Sequence, residues 1–148
     1  MRHASVYVRD DAIYVVSSAK NVFGISHHGE WRVRLAQPAS ARELGDAILA
    51  ALAAYRDNIP GTTYVRGAKL PPHPFLLFAG FKSWKAFEKG TTYFMVAETE
   101  GRAEIVPSTA GSKGGYLHHP DRAVHCPLNA DEIGSRVLGQ AQLGLARD

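Results

Sequence analysis

The sequence predicts an α+β domain: a mainly antiparallel sheet of about six strands with two longer helices packed on it. Three observations lead there. Short runs rich in β-branched and aromatic residues recur along the chain at hairpin-like spacing. Two amphipathic segments each begin with a complete capping signal. The length of 148 residues suits one domain, taken here as 1–148, with one core that needs neither metal nor disulfide to hold it together.

Val6-Tyr7-Val8 and Ala12-Ile13-Tyr14-Val15-Val16 read as two strands turned at Asp10-Asp11. Trp31 to Leu35 alternates apolar and basic residues, the pattern of a strand with one wet face, and Gly24, His27-His28 and Gly29 before it read as a loop or distorted hairpin. Ser40 to Tyr55 is the clearest helix. Its Ser40 and Glu43 form a capping box, Leu44, Ile48 and Leu52 recur at helical spacing, and Asp57 to Gly61 ends it. Four prolines between 60 and 74 mark a long ordered loop. Phe75 to Phe81 is apolar and fits either element, and Ser83 to Lys89 reads as a short helix. Thr91 to Glu98 and Arg102 to Val106 form a hairpin turned at Thr99-Glu100-Gly101. After a glycine-rich loop over 110–115, a short strand at Ala123 to Cys126 precedes a last helix, Asn129 to Leu143.

Two segments 89 residues apart match each other. Pro38-Ala39-Ser40-Ala41-Arg42-Glu43-Leu44-Gly45 and Pro127-Leu128-Asn129-Ala130-Asp131-Glu132-Ile133-Gly134 share an entry proline, a capping residue, a glutamate three residues on, an apolar residue and a glycine. A glycine inside a helix costs roughly 1 kcal/mol relative to alanine. Two at the same place imply that each helix start packs closely on a neighbouring backbone. A duplicated strand–helix unit and two convergent capping signals both account for the match.

Composition narrows the function. The net charge of +3 is dispersed, with no two adjacent Lys or Arg, so the clustered cations that drive direct nucleic-acid binding are missing. The one cysteine, Cys126, fits a reducing compartment, no apolar run is long enough to cross a membrane, and the first residues lack a secretory pattern. These features describe a cytoplasmic protein. Among candidate chemistries, His119 and His125 have a zinc-compatible spacing with Cys126 behind them, but no second ligand cluster accompanies them. Cys126 reads as a buried structural thiol, the histidine pairs as exposed loop residues, and no phosphate loop or nucleophile elbow occurs. The residues imply no cofactor, no metal and no catalytic set.

Ser17-Ser18 on a strand, Gly24-Ile25 after it, the run Glu43 to Leu52, Phe81-Lys82-Ser83-Trp84-Lys85-Ala86-Phe87, Ile105-Val106-Pro107-Ser108 and Glu132-Ile133-Gly134 come in an order that resembles the immunity proteins of bacterial contact-dependent growth inhibition (CDI) systems. The resemblance spans about Val15 to Gln142. It implies a small cytoplasmic protein, not an enzyme, that binds the C-terminal toxin domain of a cognate CDI effector and blocks it. Toxins of these systems are often nucleases, commonly directed at tRNA. Inhibitors of such basic partners are often acidic, and this chain is net positive, so simple charge mimicry of a nucleic acid is not its expected mode. Recognition residues belong on rigidly held loops and wet faces. Tyr64, Arg66 and Lys69 on the proline-rich loop, with Lys113, Tyr116 and His118 on and after the glycine-rich one, are the expected toxin contacts, because Tyr and Arg dominate binding energy at interfaces. Trp84 is a further candidate, and the acidic turn at Glu98, Glu100 and Glu104 is the alternative surface. Two other classes stay open at this point: a small His/Cys-dependent, zinc-binding enzyme, and a general interaction module.

Overall fold

A computed structural model describes residues 1–61, 67, 73–110 and 116–147. It contains β1 (His3–Val8), β2 (Ala12–Asn21), β3 (Ser26–Ala36), α1 (Ala41–Ala53), β4 (Arg56–Ile59), α2 (Pro74–Ala79), α3 (Trp84–Glu88), β5 (Thr92–Thr99), β6 (Arg102–Ala110), β7 (Tyr116–His118), a 3-10 turn at Pro120–Arg122, β8 (Val124–Pro127) and α4 (Ala130–Arg147). The strands form one sheet in the order β3-β2-β1-β5-β6-β7, with β8 also on β6 and a short parallel β4 on β2. All other pairings are antiparallel. The α+β class, the main path of six strands and the two long helices are as the sequence predicts.

Several boundaries differ. The segment after the first helix is not merely a stop: Arg56–Ile59 adds β4 to the sheet. Phe75 to Phe81 resolves into α2, because Pro74 suits a first helical position and His73 Nδ1 accepts from the Phe75 amide at 3.2 Å. His27 and His28 lie on strand β3 rather than in a loop and His118 lies on β7, whereas His125 is on β8, in the short strand the sequence predicts. One residue of β2, Ser17, faces Gly29, Glu30 and Trp31 of β3, so the hairpin carries a bulge there. Gly29 permits it: a Cβ would stand 2.3 Å from Ser17 Oγ, which accepts from the Trp31 amide.

The strand alternation buries both faces of the sheet centre. Ala4, Val6 and Val8 of β1, Ile13 and Val15 of β2, Phe94 and Val96 of β5, and Ile105 of β6 point to one side. There they meet Leu44, Ile48 and Leu52 of α1 and Ile133, Val137 and Ala141 of α4. Each fully buried Val, Leu, Ile or Phe among them contributes on the order of 1.5–3 kcal/mol. Tyr7, Tyr14, Val16 and Tyr93 point to the other side, where the short α2 and α3, through Phe75, Leu76 and Phe87, cover part of the sheet.

The helix starts behave as their matching sequences imply. Ser40 Oγ accepts from the Glu43 amide at 3.0 Å, and Asn129 Oδ1 from the Glu132 amide at 3.2 Å. The helices then cross reciprocally: a Cβ on Gly45 would lie 1.7 Å from the Ala130 carbonyl oxygen, and one on Gly134 would lie 1.8 Å from that of Ala41. Arg42 reaches Asp131, its own counterpart 89 residues on, at 3.5 Å. The β1–β5 ladder obeys the same shift, pairing His3 with Ala97 and Val8 with Thr92, so its two ends exchange under it. Each helix also follows the outermost strands of its half of the sheet, β3 for α1 and β8 for α4. The repeat is therefore architectural: two β-β-β-α halves meet back to back at β1–β5 and at the helix crossing.

Changing Gly45 or Gly134 to Ala should force the helices apart and cost at least ~2 kcal/mol, despite the better helix propensity of alanine. The double variant should cost less than the sum, since one displacement relieves both contacts. Gly139, whose Cβ would meet nothing within 4 Å, is the control, and its change to Ala should stabilise by up to ~1 kcal/mol in denaturant melts. In the same assay Ser40→Ala and Asn129→Ala should each cost ~1 kcal/mol.

Candidate functional site

Beside α2 and α3, the outer face of the sheet carries a cavity of about 850 Å³. Its floor is Ser5 of β1, Ser18 of β2, and Tyr93 and Met95 of β5. Its walls come from His27, His28 and Arg32 of β3, from His73 ahead of α2, and from His118 of β7. The positions follow from strand alternation. Ser5, Tyr7 and Tyr93 are the outer-face residues of the two central strands, and Arg32 faces Val16 on the same side.

Hydrogen bonds fix many of these side chains. Ser5 Oγ and Tyr93 OH are bonded at 2.9 Å, Tyr7 OH and His28 Nε2 at 2.8 Å, and Ser108 Oγ and His118 Nδ1 at 2.6 Å. Burial pushes the His28 imidazole down to about 4, helped by His73 and Arg32 beside it. Burial also lowers His3, His73 and His118. At neutral pH the His28 imidazole is an uncharged hydrogen-bonding group.

A second cavity, about 390 Å³, lies on the other side of His28 and is lined by Tyr7, His28, Trp84, Glu88 and Tyr116. Its rings are held by neighbours. Trp84 stacks on Phe75 with centroids 5.7 Å apart and planes 11° apart, and Tyr116 stacks on Tyr93 at 4.8 Å and 25°. Ser83 Oγ caps α3 by accepting from the Ala86 amide at 3.1 Å, which orients Trp84 and Glu88 on one short helix. Two buried polar atoms lack a hydrogen-bond partner among the described residues, His28 Nδ1 and Tyr116 OH. Both belong to residues that line this cavity.

Of the residues expected from the sequence to touch a toxin, Tyr64, Arg66, Lys69 and Lys113 lie outside the described residues. Tyr116 and His118 share β7 but enter different cavities, the smaller and the larger respectively. Trp84 joins Tyr116. In the acidic turn, Glu98 pairs with Arg2, and Glu104 accepts from His125 at 2.9 Å. Sequence reasoning missed Tyr7, His28 and Glu88. The signal for Tyr7 was its place between Val6 and Val8, which marks an aromatic residue on a second buried face.

The Ser108–His118 pair has no acid behind the imidazole to complete a triad among the described residues, and no group of three or more His, Cys, Asp or Glu there is arranged to hold a metal. Cys126 is buried under α4, and burial pushes its thiol up, away from the reactive thiolate. No described helix is long and apolar enough to cross a membrane.

No protein-family model matches the chain, and no curated relative matches its sequence. Solved structures of similar fold include two that overlap most of the chain. One is a protein of unknown function from Neisseria meningitidis, with a TM-score of 0.67 and 16% identity over 90% of this chain and 89% of that one. The other is a chain of a CdiA-CT/CdiI toxin and immunity complex from Yersinia pseudotuberculosis, with a TM-score of 0.67 and 15% identity over 90% of this chain and 91% of that one. At these identities the likeness is one of fold.

The His28 imidazole sets an acid limit on stability. A histidine with a folded pKa below its unfolded value binds fewer protons in the folded state, so stability falls as pH drops through the window between the two values. For His28 that window runs from 6.5 to about 4, and its contribution reaches ~3 kcal/mol. Urea melts at pH 7 and pH 4 should show this loss, and His28→Gln should flatten the dependence while lowering stability at pH 7 through the lost Tyr7 bond.

Proposed function

We propose that the chain is an immunity protein, which binds the C-terminal toxin domain of a cognate CDI effector one-to-one and neutralises it without turnover. The observation that carries this reading is the fold. Nine tenths of the chain follow the architecture of a chain from a toxin and immunity complex. The order of short motifs along the sequence supports the same family independently of that overlay. The chemistry of the outer face also fits recognition, since hydroxyls, the uncharged His28 imidazole and stacked rings are held in fixed positions around open cavities. The toxin this reading implies is a nuclease, with tRNA as the expected substrate class, and the inhibitor acts in the cytoplasm on toxin delivered there.

Copurification tests the proposal. The tagged toxin domain encoded beside this chain should retain it at equal stoichiometry, and expression of the chain should protect cells from that toxin. Failure of both would end the immunity reading. Within the complex, Tyr116→Ala, Tyr64→Ala and Arg66→Ala should each cost at least ~2 kcal/mol of toxin affinity by titration calorimetry. The melting temperature should stay nearly unchanged for Tyr64→Ala and Arg66→Ala, and should fall for Tyr116→Ala, which also removes the ring stacked on Tyr93. If all three variants bind like the parent protein, the toxin sits elsewhere on the surface.

A further inference from the structure

The smaller cavity beside His28 combines groups that have a common ligand. Three of its five lining residues are aromatic, Tyr7, Trp84 and Tyr116, and a fourth is Glu88. Glu88 is half-buried and makes no ion pair among the described residues. Its carboxylate lies near enough to raise the phenols of Tyr7 and Tyr116, after the larger effect of burial. His28 Nδ1 and Tyr116 OH add buried polar atoms with no partner among the described residues. Leaving such groups unpaired in a complex is costly, so an occupant should bring polar hydrogens to them.

Charge and shape then select the occupant. An anion would be repelled by Glu88. An apolar side chain would strip water from the carboxylate and offer it nothing in return. A cation satisfies the carboxylate and donates to His28 and Tyr116, and aromatic walls favour it through their ring quadrupoles. Among the described residues two of the fold's own cations lie near: Arg32 is beside His28 with its guanidinium 5.8 Å from the Phe78 ring, and Arg9 is already engaged. Arg9 donates to the carbonyls of Phe87 at 2.6 Å and Lys89 at 3.0 Å and to Thr91 at 2.6 Å, with its guanidinium 4.6 Å from the Phe81 ring. Lys85 and Lys89 flank Glu88 in sequence but are exposed, where water and salt screen them.

We propose that the cavity lined by Tyr7, Trp84, Tyr116 and Glu88 is a receptor for the ammonium or guanidinium of a lysine or arginine side chain presented by the toxin. The identity of the presenting protein rests on the immunity reading, whereas the cation specificity of the cavity does not. A net positive inhibitor thereby engages a basic partner through a local, partly dehydrated carboxylate rather than through overall charge.

The test uses the full chain alone and then its complex. N-acetyl-arginine methylamide, N-acetyl-lysine methylamide and the neutral N-acetyl-norleucine methylamide are titrated while the Trp84 indole N–H resonance is followed. The two cationic probes, or one of them, should give a saturable shift, the neutral probe none, and Glu88→Gln should weaken the response at least tenfold with no change in melting temperature. Whichever probe binds tighter identifies the side chain. No saturable shift up to tens of millimolar, an equal response to the neutral probe, or indifference to Glu88→Gln overturns the cation site. With the toxin domain, Glu88→Gln should weaken binding at least tenfold, and unchanged toxin affinity would overturn the toxin as the source. Cation binding by a chain that fails to bind any toxin would instead remove the immunity reading and leave the site.

Discussion

The rest of the fold is arranged around one close approach of two helix backbones. With Gly45 against Ala130 and Gly134 against Ala41, α1 and α4 touch where side chains would normally hold them apart. That contact fixes the distance and angle between the helices, and so fixes which sheet residues lie under each. Leu44 and Ile133, one residue before each glycine, are consequently driven into the sheet and fully buried. A tight crossing of this kind gains dispersion contacts along both helices, which offsets the local propensity cost of two glycines.

Because the contact is reciprocal, the scaffold is close to symmetric, and function has to come from what breaks the symmetry. The first half is followed by β4, α2 and α3, while the second inserts β7 and a 3-10 turn before β8. The longer insertion folds back over the outer face and supplies Phe75, Trp84, Phe87 and Glu88, while the shorter one supplies Tyr116 and His118. The two cavities lie where these insertions meet strands β1, β3 and β5. His28, shared by both, is held by the Tyr7 hydroxyl from the central strand beneath it.

Local rules carried the sequence reading a long way. The caps at Ser40 and Asn129, the helical spacing of Leu44, Ile48 and Leu52, and the Glu100-Gly101 turn depend on neighbours within four residues, and all are found in the structure. The repeated glycines even carried a tertiary statement, because only a close neighbour explains a residue that weakens its own helix. The cavities were less legible for the opposite reason. Tyr7 and His28 are 21 residues apart, Tyr7 and Tyr116 109, and their meeting depends on strand order and on the fold-back of α2 and α3. No short-range pattern encodes that. The His27-His28 pair was misread as part of a loop because β3 continues through a bulge at Gly29, where a glycine suggests an end rather than an irregular continuation.

This division between scaffold and insertion also bears on how specificity can change. Core residues under α1 and α4 are tied to the glycine crossing, so volume changes there are felt throughout the sheet. Trp84, Glu88 and Tyr116 sit on short elements whose anchors, Phe75, Phe87 and Tyr93, are separate side chains buried beneath them. A substitution at the rim alters ring area or charge in the cavity while leaving those anchors in place. Discrimination between partners needs a difference of affinities, and exchanging one half-buried carboxylate for a neutral group removes the preference for a cationic occupant, while a positive group reverses it. A symmetric, glycine-locked scaffold with asymmetric insertions therefore lets recognition vary at little cost to folding.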